Sequence, residues 1–138
     1  MSRSVVLDTN IALDLLVFED PSVKPLAAQI ESGLLRWIGT QAMRDELERV
    51  LAYEHIAARM QARGLPASGV LERFDRHVLL VDAPAPATLT CSDPDDQKFI
   101  DLAVAHACML LSKDAAVLAM ARRLAAVQVS AAAVMPVG

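Results

Sequence analysis

Cysteine is scarce in this chain of 138 residues: Cys91 and Cys108 are too few for a disulfide framework and lack the paired spacing of a zinc motif. The three histidines, His55, His77 and His106, form no H-x-x-x-H pair, which further argues against zinc chemistry. Aromatic residues make up only 4% of the chain, so no base-stacking platform is expected. No apolar run reaches the roughly 18 residues of a membrane span. Met1-Ser2-Arg3-Ser4 leads straight into an apolar segment without a signal-peptide pattern, and a cytoplasmic protein with no membrane partner is expected. Positive charge is also short, with 13 Lys plus Arg against 17 Asp plus Glu, a net charge of −4. No basic field advertises a nucleic-acid partner.

What is present is a hydrophobic fraction of 54%, carried by Ala, Leu and Val, at the size of one domain spanning 1–138. Val5-Val6-Leu7 reads as a strand that ends at Asp8-Thr9-Asn10. Val23, Leu26, Ala27, Ile30 and Leu34 recur at helical spacing, closing near Gly33. Leu35-Arg36-Trp37-Ile38 is a second strand, with Thr40 as the N-cap of a helix lined by Met43, Leu47, Val50 and Leu51. Residues 54–78 read as a helical hairpin broken at Gly64-Leu65-Pro66, and Leu79-Leu80-Val81 as a short strand. After a proline-containing loop, Asp93 and Pro94 form an N-cap and N1 pair. The helix that follows is apolar nearly all round and is expected to be buried. Met109-Leu110-Leu111 is a strand, 115–125 a long helix, Val127-Gln128-Val129 a last strand and 130–135 a helical turn. The alternation implies an α/β domain of three layers, with a mainly parallel sheet of four to five short strands and helices on both faces.

Ligands of such sheets sit at the carboxyl ends of the strands, which singles out Asp8 and Asp114. Asp45-Glu46, just beyond the second strand, and Asp95-Asp96, in the first turn of a helix, are placed to join them. Carboxylates converging on one rim repel one another unless a cation lies between them, and oxygen-only ligands favour Mg²⁺ or Mn²⁺, one or two ions. Ordinary roles compete: Asp93 reads best as a helix cap, and Glu46, amid Arg44, Asp45, Glu48 and Arg49, as part of a solvated face.

Taken in order, Val5-Val6-Leu7-Asp8-Thr9-Asn10-Ile11, Asp45-Glu46-Leu47, Asp93-Pro94-Asp95-Asp96-Gln97-Lys98-Phe99 and Leu110-Leu111-Ser112-Lys113-Asp114 resemble the PIN domain. The likeness is nearest to the bacterial subgroup described as toxin components of toxin-antitoxin systems. It implies Asp8, Glu46, Asp96 and Asp114 as metal ligands and catalytic residues, the family's spacing selecting Asp96 from its cluster, with Asn10 and Ser112 as supporting polar groups. It also implies a small antitoxin partner and a homodimer. Ser112 keeps the hydroxyl common among relatives, whereas Lys113 stands where many have glycine.

The expected activity is metal-dependent hydrolysis of single-stranded RNA. Arg44, Arg49, Arg59, Arg63, Arg73 and Arg76 are candidates for phosphate contact, matched by neighbouring acids with which they would equally form surface pairs. A phosphotransferase using Asp8 as nucleophile would need a second acid where Asn10 stands. The alternative is a catalytically weakened PIN-like module that binds protein or RNA, a reading that rests on Lys113. The charge count itself is informative once localised. Residues 81–114 carry six aspartates against two lysines, a local balance equal to the whole chain's excess. The acidity therefore marks one site, and bound divalent ions would offset it.

Overall fold

A computed structural model describes residues 3–135. Five parallel strands, β1 (Arg3–Leu7), β2 (Leu35–Gly39), β3 (Val78–Leu80), β4 (Met109–Leu111) and β5 (Ala131–Ala132), form one sheet in the order β3-β2-β1-β4-β5. The chain steps outward from β1 through β2 to β3, then returns to the other side of β1 for β4. The switch point, where ligands of open α/β sheets bind, therefore lies between β1 and β4.

Side-chain alternation along the central strands divides the core in two. Val5 and Leu7 of β1, Trp37 of β2 and Leu111 of β4 face one cluster, while Val6, Ile38 and Leu110 face the other. On the first face lie α1 (Thr9–Leu13), a π-helical turn Asp14–Phe18 and α2 (Lys24–Ser32). They pack with α3 (Gln41–Leu51), α4 (Glu54–Ala62) and α5 (Ala67–His77). Trp37 anchors this side with an edge-on contact to Phe74, ring centroids 5.4 Å apart. At the end of β2, a Cβ on Gly39 would stand 3.2 Å from Val78 Cγ1, so the backbone there packs closely on the neighbouring strand. On the second face lie α6 (Gln97–His106), α7 (Ala115–Leu118) and α8 (Ala121–Ala125).

The carboxyl-terminal third departs from the sequence expectation. The helix expected over 115–125 is interrupted at Ala119–Met120, where Met120 has ψ 2° and caps α8. Residues 127–129 are no strand: Val127 N and Val129 N both donate to Leu124 O, and Gln128 adopts φ 68°. They close α8 with a left-handed C-terminal turn that no glycine signals. The final strand lies instead at 131–132, within the stretch expected to be a helical turn, where Leu110 N and Ser112 N donate to Ser130 O and Ala132 O. Helix α6 buries Phe99, Ile100, Leu102 and Ala103 but leaves Ala105 and His106 exposed, so it is one-faced rather than buried throughout. The third strand sits one residue earlier than expected, at Val78–Leu80.

Candidate metal centre

Asp8 leaves β1 at the switch point, and its backbone N–H donates to Leu111 O of β4 at 3.0 Å, which ties the two strand ends together. The side chain is buried, 3% exposed, and caps α1 by accepting from Ile11 N at 2.9 Å. Its other oxygen accepts from the Ser112 hydroxyl. Ser112, fully buried at the end of β4, accepts in turn from Asp114 N at 3.0 Å. One hydroxyl thus couples the carboxylate after β1 to the backbone of the acid after β4. Burial raises the pKa of Asp8; the bonds from Ser112 and Ile11 lower it, and the nearby Asp114 carboxylate raises it again.

Asp114 caps α7 through Ala116 N at 2.8 Å. Asp93 does cap the short 3-10 turn Pro94–Asp96, accepting from Asp95 N at 3.0 Å, and the same turn swings Asp96 towards Asp114. One carboxylate oxygen from each of Asp93, Asp96 and Asp114 lies within 4.8 Å of the others. The Asp96 pKa is pushed up to about 7, first by desolvation, then by the charges of Asp114 and Asp93, a hydrogen bond with Asp114, and the charge of Asp8. Its Oδ2 is shut off from solvent without a hydrogen-bond partner. A buried carboxylate oxygen left without a donor, amid three other acids, is chemically matched to a hard divalent cation.

The remaining sequence candidates fall around this cluster. Asp8 lies outside the convergent triad, and so does Glu46, on α3. One Glu46 oxygen accepts from Thr9 Oγ1 and the other from Lys98 Nζ at 2.7 Å. Asp45 turns to the surface and accepts from Gln41 at 3.0 Å. Asn10 is exposed at the start of α1, and the neighbour of Asp8 that reaches another acid is Thr9. Asp93 contributes both as a cap and as a member of the cluster, two roles that a short carboxylate can combine because each oxygen has two lone pairs.

Two further features were not legible in the sequence. Lys113 does not crowd Asp114; its Nζ pairs at 2.6 Å with Asp14, a buried acid on the π-helical turn. An aspartate four residues after Asn10 carries no motif, and only the long-range fold brings it to Lys113. The loop 81–93 is held by α6. Gln97 accepts from Cys91 N at 2.6 Å and donates to Leu89 O at 2.9 Å and to Asp101 at 2.8 Å. Asp101 also accepts from Ala87 N at 2.9 Å. Of the candidate phosphate-binding arginines, Arg44 is bidentate on Asp75 and Arg63 pairs with Glu19 at 3.3 Å. Arg63 and Arg73 also donate to the carbonyls of Val17 and Leu16, and Arg59 covers the Phe18 ring. Arg49 and Arg76 are exposed.

Fold and cluster define an α/β domain with an oxygen-only, cation-ready acidic site at its topological switch point. The family model for the PIN domain matches residues 4–116, and the chain belongs to that family. A comparison with curated proteins finds no match. PIN domains are generally metal-dependent nucleases, and the acidic cluster is placed to hold the ion such chemistry needs. Among the described residues no helix is long and apolar enough to cross a membrane.

Proposed function

We propose that the chain, as one PIN-like domain over 1–138, is a divalent-metal-dependent ribonuclease that hydrolyses phosphodiester bonds of single-stranded RNA. The observation that carries this reading is the buried, unpartnered Oδ2 of Asp96 inside a cluster whose other members are all carboxylates. Asp93, Asp96 and Asp114 would hold the ion, with the Asp8 carboxylate beside them and Glu46 at the rim. Bound there, Mg²⁺ or Mn²⁺ supplies the positive charge that activates a water and offsets charge building on the phosphate. Ser112 holds Asp8 at a fixed orientation and links it to the Asp114 backbone, so the two acids keep their spacing as the ion enters. Thr9 does the same for Glu46. The engagement of Lys113 with Asp14 leaves Asp114 within the cluster, which favours the active enzyme over the weakened module.

The assay is cleavage of labelled single-stranded RNA by the purified chain in Mn²⁺ and in EDTA. Activity in Mn²⁺ alone is expected, lost in Asp8→Asn and Asp96→Ala; cleavage that survives EDTA or either substitution refutes the assignment. The biological setting follows from the resemblance: a cytoplasmic type II toxin held by a small antitoxin, assembled as a homodimer. Light scattering of the purified chain tests the dimer. Growth arrest on expression, relieved by the product of a neighbouring small reading frame, tests the toxin role.

A further inference from the structure

Lys98 is a cation bonded to the acidic turn whose donors are incompletely used. Its ammonium carries three donors. One goes to Glu46 Oε1 at 2.7 Å and one to Asp95 O at 2.6 Å, the carbonyl just before Asp96. The group also stands 4.9 Å from the centre of the Phe99 ring, and its side chain is 26% exposed. Two bonds therefore fix the nitrogen at the rim of the cluster, and the third donor has no partner among the described residues. Glu46 is the complementary case, because both of its oxygens are taken, by Lys98 and Thr9, away from the convergence of Asp93, Asp96 and Asp114. A second divalent ion on Glu46 would have to displace an ammonium already salt-bridged there, against like-charge repulsion.

We propose that Lys98 is the second positive charge of this site: the chain binds one divalent ion at the aspartate cluster, and the Lys98 ammonium, steadied by Glu46 and Asp95 O, donates its remaining hydrogen bond to the substrate phosphate. The proposal rests on reading the site as a metal-dependent nuclease. Lys98 forms and breaks no covalent bond and transfers no proton; it donates to a non-bridging phosphate oxygen and lowers the cost of negative charge there. Glu46 is then a positioning residue that acts through Lys98, holding the ammonium at the rim.

The test pairs calorimetry of Mn²⁺ binding with anisotropy of a short fluorescein-labelled single-stranded RNA in Ca²⁺, checked by gel to remain uncut. Wild type, Lys98→Met and Lys98→Arg are compared after thermal unfolding shows that each is folded. Wild type is expected to bind one Mn²⁺ per chain. Lys98→Met is expected to keep that ion and admit a second, weaker one on the freed Glu46, while losing RNA affinity on the order of ten- to a hundredfold, the scale of one charge-assisted hydrogen bond. Lys98→Arg, which retains charge and donors, is expected to recover most of the affinity. Two ions bound by wild type, or unchanged RNA affinity in Lys98→Met, overturns the role of Lys98 and leaves the nuclease reading standing. No Mn²⁺ binding by wild type overturns the nuclease reading and this proposal with it.

Discussion

Acidification should weaken metal binding by an amount set by Asp96. With its pKa pushed up to about 7, only about one molecule in eleven has Asp96 ionised at pH 6, against about ten in eleven at pH 8. Apparent Mn²⁺ affinity should therefore fall about tenfold from pH 8 to pH 6 and about another tenfold by pH 5, with Asp8, also raised, steepening the acid limb. The ion should release close to one proton from Asp96 when bound at about pH 6 and almost none at about pH 8. Calorimetry in two buffers of different ionisation enthalpy reads that proton directly, and Asp96→Asn should abolish its pH dependence along with most of the affinity. The same shift makes the metal-free protein less stable as pH rises from about 3.8 towards about 7, because the folded Asp96 keeps a proton that the unfolded one has lost. Mn²⁺ at about a hundred times its Kd should restore about 2.7 kcal/mol at neutral pH. Equal Mn²⁺ affinity at pH 6 and pH 8, with no proton released, would refute the coupling of Asp96 to its neighbours.

Arg73→Met should lower stability by about 1–3 kcal/mol in urea unfolding, since it strips the donor from Leu16 O on the π-helical turn without removing an RNA contact. Lys113→Met should cost about 1–2 kcal/mol, discounted because the lysine is half exposed, and Asp14→Asn in the same chain should return part of it by removing the stranded charge. A Lys113→Met protein as stable as wild type would show that the pair contributes nothing. Gln97→Ala should leave the fold cooperative but weaken Mn²⁺ binding severalfold, because Leu89 and Cys91 lose the side chain that ties their loop, and so Asp93, to α6. Unchanged Mn²⁺ affinity would separate the loop from the site.

The ends of β1 and β4, and the acids that follow them, were legible because the signal is local: a short apolar run ending in a polar turn marks a strand end whatever the rest of the chain does. The tail was not, because Val127-Gln128-Val129 alternates like a strand while its backbone completes the capping of α8, a competition decided by bonds to Leu124 rather than by pattern. Asp93 was legible only as a cap, since its second role depends on Asp114 arriving from elsewhere in the sequence. For Glu46, spacing points to the rim but does not reveal that Thr9 and Lys98 occupy its oxygens. The π-helical turn and the Lys113–Asp14 pair likewise arise from tertiary packing that no periodicity encodes.

The arginines alter how an acidic protein would grip RNA. Sequence leaves six of them in the middle helices available for phosphates, yet Arg44, Arg59, Arg63 and Arg73 are committed to Asp75, Phe18, Glu19 and the carbonyls of Val17 and Leu16. If those contacts persist in the complex, the middle helices add only the exposed Arg49 and Arg76 to the attraction of the bound ion and Lys98. Each phosphate neutralised on a single strand contributes about −0.7 to the slope of log affinity against log salt, so six arginines would give about −4, whereas Lys98 alone would give about −0.7 and Lys98 with both exposed arginines about −2. RNA anisotropy titrated with KCl in Ca²⁺ distinguishes the two regimes, and a slope near −4 that becomes shallower in Arg44→Met and Arg63→Met would mean that the arginines abandon their structural partners to hold the substrate. A shallow slope that vanishes in EDTA would tie RNA binding to the ion, so that the same acids which make the free chain repel nucleic acid also make its binding conditional on metal.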